Sequence, residues 1–259
     1  MKKFTFDITK EKSPHILSAV IGADSFFYGL YDRNFTLYKC DYFEQFSFSL
    51  AEYESLANEL SAFQDVKQVI SFSTKPYLHV PLGEGNITKF YPSFDDKQVN
   101  IEKLTAQEIS VLFGLKEKHV SFVKEVFNAP SVHHISTVFH NEIFPSSKDQ
   151  VVGYFEDERL HLLVSDMDKL KYYNQFECRD KTDHLYFIAM VYNLLGYDMN
   201  EVPLAICGRI EQSSELHDLL YGYVRNIKFL NSRHQKIADL RLRKSAHLYH
   251  DLYSTAICG

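Results

Sequence analysis

The sequence is poor in the residues from which disulfide frameworks and glycine-rich phosphate-binding loops are built. It has no tryptophan, and only 10 glycines and four cysteines among 259 residues. The cysteines stand far apart and form no CxxC pair, which excludes a zinc ribbon and a thioredoxin-like redox motif. No P-loop, GxGxxG, HExxH or GxSxG pattern occurs. The cysteines are predicted to be reduced core thiols: Cys40, Cys178, Cys207 and Cys258.

Long apolar runs and an excess of positive charge are also absent. The longest apolar stretch, 185–196, includes Tyr and Asn residues and is too short to span a bilayer. Lys2 and Lys3 are followed by no apolar segment, so we expect no secretory signal and a cytoplasmic protein. A net charge of −6 argues against a general nucleic-acid binder. A hydrophobic content of 45% and a mass of 30.2 kDa predict a globular chain of two modest domains.

One segment, Gln150–Cys178, predicts three antiparallel strands joined by tight turns at 156–158 and 166–168. A helix capped by Thr182 and closed by Gly196 follows, because apolar residues recur there at helical spacing. The chain continues with a short strand, a helix and a further strand, at 203–207, after 213 and at 226–230. This order of elements is that of a ribonuclease-H-like unit.

The same pattern occurs in the first half of the chain. Leu17–Phe43 overlays the later meander without gaps and sets Asp24 opposite Asp157. Residues 131–144 and 214–229 also match in a leading Ser, a His three residues later and a short strand after an Asn. A repeat of this length indicates duplicated lobes rather than a solenoid. We therefore predict an α/β protein with two ribonuclease-H-like lobes, which is the plan of the actin-like ATPase superfold.

The predicted lobe boundary lies in the polar segment 145–149. It divides the chain into domains 1–147 and 148–259, each a ribonuclease-H-like lobe. The first lobe carries an inserted segment, 83–117. The second lobe ends in a C-terminal helix at 246–257, whose leucines fall on one side.

Within the first lobe, Ser49 and Glu52 form a capping box that predicts a helix. Val66–Phe72 and Val120–Phe127 are both predicted strands, and they are alternative candidates for the fourth strand of this lobe. The other predictions, in chain order, are a polar lead-in to Pro14, a strand at Tyr77–Leu82, a surface loop at Gly83–Asn100, a helix after the capping box Thr105–Glu108, and a helix from Pro130 to His140.

Four segments carry a family resemblance: LSAVIGADSFFYGLYD (Leu17–Asp32), KLKYYNQFECRDKTDHLYF (Lys169–Phe187), PLAICGRI (Pro203–Ile210) and HLYHDLY (His247–Tyr253). They resemble a family of uncharacterised Bacteroidetes proteins, a domain of unknown function with an actin-like ATPase fold. The likeness extends over nearly the whole chain. It implies a fold whose relatives bind ATP in the cleft, and a family in which no activity is established.

In actin-like ATPases two glycine-rich hairpins and a third, Gly-Gly loop hold the nucleotide. The glycines let backbone N–H groups approach phosphate, and an Asp in each hairpin positions Mg²⁺. Here the hairpins retain Asp24 and Asp157 without a following glycine, and the third loop retains Gly208, followed by Arg209. An acidic hairpin tip is far more often a solvated turn, and a tight strand-to-helix turn needs one glycine in any case, so these structural explanations are favoured. The sequence therefore predicts degenerate nucleotide loops and no cofactor.

Two further chemistries are disfavoured by residue type. A ribonuclease-H-like nuclease needs acids within its first and fourth strands, and the predicted strands contain none. Histidines are frequent, but neither His133, His134 and His140 nor the pair His247 and His250 has nearby ligands to complete a metal site. These histidines are predicted to be packed or to lie on helix surfaces, and no metal is expected.

A basic run stands out in the otherwise acidic chain: Arg233, Lys236, Arg241, Arg243 and Lys244. It is either a solvated face that pairs with acids of the same chain or a surface that contacts RNA or an acidic protein.

The preferred hypothesis is a non-catalytic actin-like scaffold that binds a protein partner. It rests on the missing glycines, which also favour a protein that is not an enzyme. The alternatives are a diverged nucleotide-binding protein or ATPase, and binding of RNA or an acidic partner through 233–244. We expect no membrane insertion, and a nucleic acid is the less favoured partner.

Overall fold

The computed structural model describes residues 2–8, 13–83, 91–143, 150–166, 169–231 and 234–258. The chain divides into two compact units. The first comprises Met1–Asn141, Lys236–Leu240 and Leu252–Gly259, and the second comprises Glu142–Gln235 and Arg241–Asp251. The predicted domains, 1–147 and 148–259, assign the whole tail to the second domain. Their boundary lies outside the described residues, and this division stays a prediction.

The strands of the described residues are β1 (Lys2–Asp7), β2 (Ile16–Ile21), β3 (Ser25–Tyr31), β4 (Thr36–Glu44), β5 (Lys67–Phe72), β6 (Tyr77–Pro81), β7 (Gln98–Leu104), β8 (Ile109–Leu115), β9 (Ser131–His134), β10 (Gln150–Glu156), β11 (Arg159–Asp166), β12 (Lys169–Glu177), β13 (Leu204–Gly208), β14 (Ile227–Phe229) and β15 (Lys236–Ile237). The α-helices are α1 (Leu50–Leu60), α2 (Glu117–Val126), α3 (Ile135–Ile143), α4 (Lys181–Leu195), α5 (Glu215–Tyr221) and α6 (His250–Cys258). A 3₁₀ helix at Leu242–Tyr249 leads into α6.

The main sheet of the first unit has the order β1-β4-β3-β2-β5-β9. Strands β2, β3 and β4 form the predicted antiparallel meander. Strand β5 pairs in parallel with β2, and β9 pairs in parallel with β5. Of the two candidates for the fourth strand, Val66–Phe72 is therefore the correct one. Strands β1 and β15 both pair with β4.

The core of the first unit is aromatic and lies between the meander, α1 and α2. Phe26 meets Phe122 of α2 edge to face at 5.1 Å, a favoured arrangement for aromatic pairs. Helix α1 buries Tyr53, Leu56 and Leu60 on one face. Its predicted capping box is confirmed, since the Glu52 carboxylate accepts a hydrogen bond from the Ser49 backbone N–H at 3.0 Å.

The inserted segment forms part of a small antiparallel sheet with the order β6-β8-β7. The predicted helix after Thr105 is wrong, because Thr105–Gln107 makes a single 3₁₀ turn and Glu108 takes a left-handed backbone. The apolar run of β8 then extends through the middle of the sheet and is almost completely buried, as a central strand requires. The predicted loop Gly83–Asn100 contains a 3₁₀ turn at Pro92–Phe94 and the start of β7, and 84–90 lies outside the described residues.

Two further predictions for the first unit are wrong. The predicted strand Val120–Phe127 lies in α2 up to Val126, with Phe127 as the C-cap, because His119, Phe122 and Val126 recur at helical spacing and are buried. The helix expected from Pro130 begins only at Ile135, after the strand β9.

The N-terminal lead-in is also more ordered than its polarity suggested. Residues 2–7 form β1, an edge strand with β-type alternation of Phe and polar residues. The prediction that the chain is an irregular polar segment up to Pro14 is therefore wrong for this part.

The sheet of the second unit has the order β12-β11-β10-β13-β14. Strands β10 to β12 form the predicted meander, and β13 and β14 add in parallel. Helix α4 covers one face and buries Ile188, Val191 and Tyr192. Its N-cap is Asp180 rather than the predicted Thr182, since the Asp180 carboxylate accepts hydrogen bonds from two backbone N–H groups of the first turn.

The two main sheets thus share one strand order over five strands, which confirms the predicted pair of ribonuclease-H-like lobes. The gapless meander match holds at the third strand, because β4 and β12 begin at Thr36 and Lys169, the same spacing as Asp24 and Asp157. It is one residue out at the second strand, since β3 and β11 begin at Ser25 and Arg159. The second match is wrong: 131–134 is a strand followed by a helix, whereas 214–229 is a helix followed by a strand. The segment equivalent to α5 in the first unit is α2.

Candidate functional site

The hairpin between β10 and β11 in the second unit contains the acidic cluster Glu156, Asp157 and Glu158. Glu156 at its base is only 2% exposed, and its carboxylate accepts a hydrogen bond from His161 Nε2 at 3.2 Å. Asp157 turns the chain with a left-handed backbone at φ 47°, a conformation that Asp tolerates better than most residues. The first acid of this cluster is therefore part of the interior, and Glu158 is the exposed one.

Gly208 ends β13 beside this hairpin. Its φ is +88°, and a Cβ atom at this position would lie 2.2 Å from the Phe155 carbonyl oxygen. The next residue, Arg209, donates its backbone N–H to the same oxygen at 2.7 Å. Glycine is required here because the turn after β13 packs directly against the backbone of β10.

The Arg209 side chain points into the second unit and forms a buried ion pair. Its Nη2 atom lies 2.7 Å from Asp251 Oδ2, and its Nη1 atom donates to the Leu248 carbonyl at 2.5 Å. The Tyr154 hydroxyl donates to the same Asp251 oxygen at 2.9 Å. Burial, reinforced by the charges of Asp251 and Glu156, raises the pKa of Tyr154 well above its ordinary value. The arginine is thus held by the chain's own carboxylate and carbonyl.

An open groove of about 600 Å³ lies at the C-terminal ends of β13 and β14. Ligands of open α/β sheets bind at such ends. The lining combines apolar and polar side chains: Glu211, Gln212, Ser213, Phe229, Leu242, Lys244, Ser245, His247 and Leu248.

His247 closes the floor of this groove. Its Nε2 atom lies 2.9 Å from the Ile210 carbonyl oxygen, and its ring packs on Phe229 at 4.1 Å. Burial lowers the pKa of His247, so the ring is neutral at pH 7 and Nε2 is the donor. The cation in the groove lining is therefore Lys244.

In the first unit, Asp24 lies exposed in the hairpin between β2 and β3. The hairpin is closed by a hydrogen bond from the Gly22 N–H to the Ser25 carbonyl at 2.9 Å. The Asp24 carbonyl accepts a hydrogen bond from the Phe46 N–H at 2.6 Å, which fixes the turn against the end of β4. The loop is tight and ordered without a glycine after the Asp.

The basic run is dispersed over different elements. Arg233 lies outside the described residues. Lys236 is exposed in β15, and the other three exposed cations, Arg241, Arg243 and Lys244, lie at the start of the 3₁₀ helix at 242–249. Leu240 beside them is 69% exposed.

The histidines named from the sequence are mostly buried and have structural neighbours. His134 Nδ1 and Ser136 Oγ are hydrogen-bonded at 2.7 Å, and His133 Nδ1 lies 2.6 Å from Glu102 Oε1. In the part of the chain that the structure describes, no group of three or more His, Cys, Asp or Glu residues is arranged to hold a metal ion. Cys40, Cys178 and Cys207 are buried, Cys258 is half-buried, and none of these four forms a disulfide.

Sequence reasoning missed the partners of Arg209. Tyr154 lies in β10, and Asp251 stands 42 positions after the arginine in the HLYHDLY segment. The signals were a tyrosine inside a buried strand and an aspartate within an otherwise buried helix start. Each of these two residues suggests a buried polar interaction, but the sequence does not show which residue it interacts with.

The sequence matches one described protein family. The model of a family described as "Protein of unknown function (DUF3822)" matches residues 84–227. No functionally curated protein matches the chain. Among the described residues, no helix has both the length and the apolar character to cross a membrane.

Solved structures share the fold over nearly the whole chain. A Bacteroides thetaiotaomicron protein with an actin-like ATPase fold and unknown function aligns with a TM-score of 0.71 and 15% identity, over 98% of this chain and 99% of its own. The PilM–PilN type IV pilus biogenesis complex follows at 0.61 and 12% identity, over 94% and 98%. EutJ, an ethanolamine utilization protein from Carboxydothermus hydrogenoformans, reaches 0.53 and 8% identity, over 98% and 93%. These likenesses show an actin-like ATPase fold.

Proposed function

The chain belongs to the DUF3822 family of proteins of unknown function, and we propose that it is a non-catalytic actin-like scaffold that binds a protein partner. The observation that carries the proposal is the contact made by Arg209. Arg209 follows the one glycine kept in the loop that the sequence compares with the adenosine loop of actin-like ATPases, and its guanidinium is bound to Asp251 and to the Leu248 carbonyl.

The geometry around Gly208 supports the same proposal. The one glycine kept in this loop is needed for its close approach to the Phe155 carbonyl, so its presence has a structural explanation. Glu156 of the neighbouring hairpin is hydrogen-bonded to His161 rather than presented to solvent. A phosphate tail would have to approach this acidic turn without a backbone nest of the usual glycine-rich kind.

The partner class is proposed by analogy. The PilM–PilN structure is a type IV pilus biogenesis complex, and its matched chain aligns with 94% of this chain. We propose that a partner protein of the cytoplasm contacts the exposed cations of the second unit, Arg241, Arg243 and Lys244. Such a surface fits a partner with acidic side chains.

The test is a partner-binding measurement with and without nucleotide. Proteins crosslinked to the chain in its native cell are identified, produced separately and titrated against the purified chain. The scaffold hypothesis predicts that the chain and its partner form a binary complex. Its Kd should be the same without nucleotide, with Mg²⁺–ATP and with Mg²⁺–ADP. A partner affinity that changes tenfold between these states contradicts the proposal, because it requires a nucleotide site that is coupled to the partner.

A diverged nucleotide-binding protein is the second candidate, favoured by the groove at the ends of β13 and β14. The groove is large enough for a small ligand and contains Lys244, Gln212 and Ser213. Replacing Lys244 with Glu separates the two functions. If the groove is the nucleotide site, the variant loses the ATP binding that the wild type shows. If the protein is a scaffold, neither the wild type nor the variant binds ATP.

A further inference from the structure

The outer face of α4 in the second unit is apolar. Tyr186 is 63% and Leu194 is 64% exposed, and Met190 between them is half-buried. From His184 to Tyr197 the sequence contains no Asp, Glu, Lys or Arg residue. A helix that is apolar on all sides is normally covered on all sides, so this exposed face requires an explanation.

The exposed face has the spacing of a surface that packs against another helix. Its five positions recur three and four residues apart and lie opposite the face of α4 that is buried in the core. We call them the α4 stripe: Tyr186, Ala189, Met190, Asn193 and Leu194. Apart from the tyrosine hydroxyl, Asn193 has the only polar group, and the small Ala189 lets a second helix approach closely.

The equivalent helix of the first unit has a polar outer face. Helices α1 and α4 both follow the third strand of a meander. Beyond its first turn, α1 exposes Glu54, Ser55 and Asn58. The apolar stripe is therefore a property of α4 and is not required by the duplicated fold.

Strand β12 lies beside α4 and forms one surface with it. Near the start of the helix, Phe176 of β12 stacks on Phe187 at 4.3 Å. Just after the end of the helix, Tyr197 accepts a hydrogen bond at its hydroxyl from Lys171 Nζ at 3.2 Å. The end of β12 thus lies near the start of α4, and the start of β12 lies near the end of α4.

This surface has charges of opposite sign at its two ends. Lys169 and Lys171, both exposed, lie at the end where α4 finishes. The exposed Glu177 and Asp180 and the half-buried Asp183 lie at the end where α4 begins. The uncharged α4 stripe separates the two groups.

The other charges at these ends leave this difference in place. Asp198, at the basic end, accepts hydrogen bonds from the backbone and the side chain of Asn200. At the acidic end, Lys181 is paired with a glutamate of α5 at 2.6 Å, and Arg179 is exposed. One end therefore has an excess of positive charge and the other an excess of negative charge.

We propose that the α4 stripe is the contact surface of a homodimer, in which α4 packs antiparallel against α4 of a second copy. A two-fold axis sets each end of the surface opposite the other end in the second copy. The lysines of each copy then face the carboxylates of the other, and the two helix dipoles are aligned favourably. Tyr186 of one copy meets Leu194 of the second. The dimer goes beyond the proposed function and uses none of the cations ascribed to the partner protein.

Sedimentation equilibrium of the intact chain between about 5 and 500 μM tests the proposal. We expect a monomer–dimer equilibrium with a Kd of about 10 to 100 μM, because an interface of one helix pair is small. The limiting mass should be twice the chain mass of 30.2 kDa.

Two substitutions test the stripe. Tyr186→Glu and Leu194→Glu should each weaken the dimer by at least about tenfold, because each sets a carboxylate against an apolar surface. Leu50→Glu in α1, at a position that is 75% exposed, is the matched control and should leave the Kd unchanged. Thermal unfolding checks the fold of each variant, and Leu194→Ser is the milder change if a Glu variant is unfolded.

Charge reversal tests the antiparallel arrangement. Lys169→Glu with Lys171→Glu makes both ends acidic. Glu177→Lys with Asp183→Asn makes both ends basic, and the new asparagine can still accept the hydrogen bond of the Arg179 backbone N–H. Each double variant alone should dimerise at least about tenfold more weakly than the wild type, whereas a one-to-one mixture should associate within about threefold of the wild-type Kd.

A wild-type chain that stays monomeric up to about 500 μM would overturn the proposal. So would a dimer that both Tyr186→Glu and Leu194→Glu leave intact, because the contact would then lie elsewhere. A mixture of the two charge variants that associates no better than either alone would overturn the antiparallel arrangement.

Discussion

The two units differ in the connection between the fourth and fifth strands of their sheets. In both sheets the fourth strand leads to a parallel fifth strand through a helix, but the first unit uses residues 73–130 for this connection and the second uses 209–226. The long connection contains the three-stranded sheet β6-β8-β7 before α2. The short one turns at Gly208, places Arg209 inside and enters α5 directly.

This difference shows which parts of a duplicated fold are free to diverge. Strands β2 and β10 are almost completely buried, and each keeps the same central place in the strand order of its sheet. The connections lie at the ends of the sheet, where an insertion costs little. Each connection has then acquired its own buried polar groups: a histidine in α2, and an ion pair after β13.

The largest expected effect is at the short connection. Arg209→Met leaves Asp251 buried without its cation, although it is hydrogen-bonded by Tyr154, and should destabilise the protein by about 3 to 5 kcal/mol. Urea denaturation measures this loss. The double variant Arg209→Met with Asp251→Asn should recover part of it, because no charge then stays buried. A loss below about 1 kcal/mol for the single variant would mean that the pair is solvated.

Gly208→Ala tests the turn itself. The new Cβ atom would meet the Phe155 carbonyl oxygen at 2.2 Å with φ at +88°, so we expect a loss of about 3 kcal/mol. Gly196→Ala is the matched control, since it also has a positive φ, +69°, but open space around it. It should cost about 1 kcal/mol. Equal losses in the two variants would show that backbone conformation alone, without close packing, requires Gly208.

The long connection is tested at His119 of α2, which is buried between Phe48 and Phe72. Burial, with Lys118 and Lys116, lowers the pKa of His119 to about 4. The unfolded chain therefore binds a proton below about pH 6.5 that the folded chain does not bind until about pH 4. Stability falls as the pH drops through this window.

His119→Phe should remove this acid sensitivity and stabilise the protein by about 1 kcal/mol at pH 7, because neither ring nitrogen of His119 hydrogen-bonds within the described residues. His184→Phe in the second unit is the control. His184 Nδ1 lies 2.8 Å from the Asp180 carbonyl, and the variant should lose about 1 kcal/mol. Urea midpoints at pH 5 and pH 7 give both values, and destabilisation by His119→Phe would contradict this explanation.

The smallest effect on stability is expected in the tail. Arg241→Glu with Arg243→Glu should change the free energy of unfolding by less than about 1 kcal/mol, because both side chains are exposed. The same variant should weaken salt-sensitive partner binding. Lys103→Glu with Lys124→Glu, also exposed, should not. A large loss of stability with unchanged partner binding would show that the basic run stabilises the fold and does not bind a partner.

The sequence predicted the repeated meanders because alternation and turn residues act locally. It failed at β8 and α2, where the apolar runs of 109–115 and 120–127 fit either a strand or a helix. Tertiary pairing decides such cases: β8 is central in a sheet, whereas α2 packs on α1. The same limit applies to the site, since Arg209 and Gly208 were evident from their positions but the role of Asp251 depends on a contact between distant residues.

The most direct test of the scaffold is thermal unfolding of the intact chain with millimolar Mg²⁺–ATP. A ligand at a hundred times its Kd stabilises a protein by about 2.7 kcal/mol, which gives a clear rise in Tm. We predict no rise, for the wild type and for Asp198→Asn, an exposed control. A rise in Tm that disappears in Asp24→Asn or Asp157→Asn would contradict the account and establish a diverged nucleotide-binding protein.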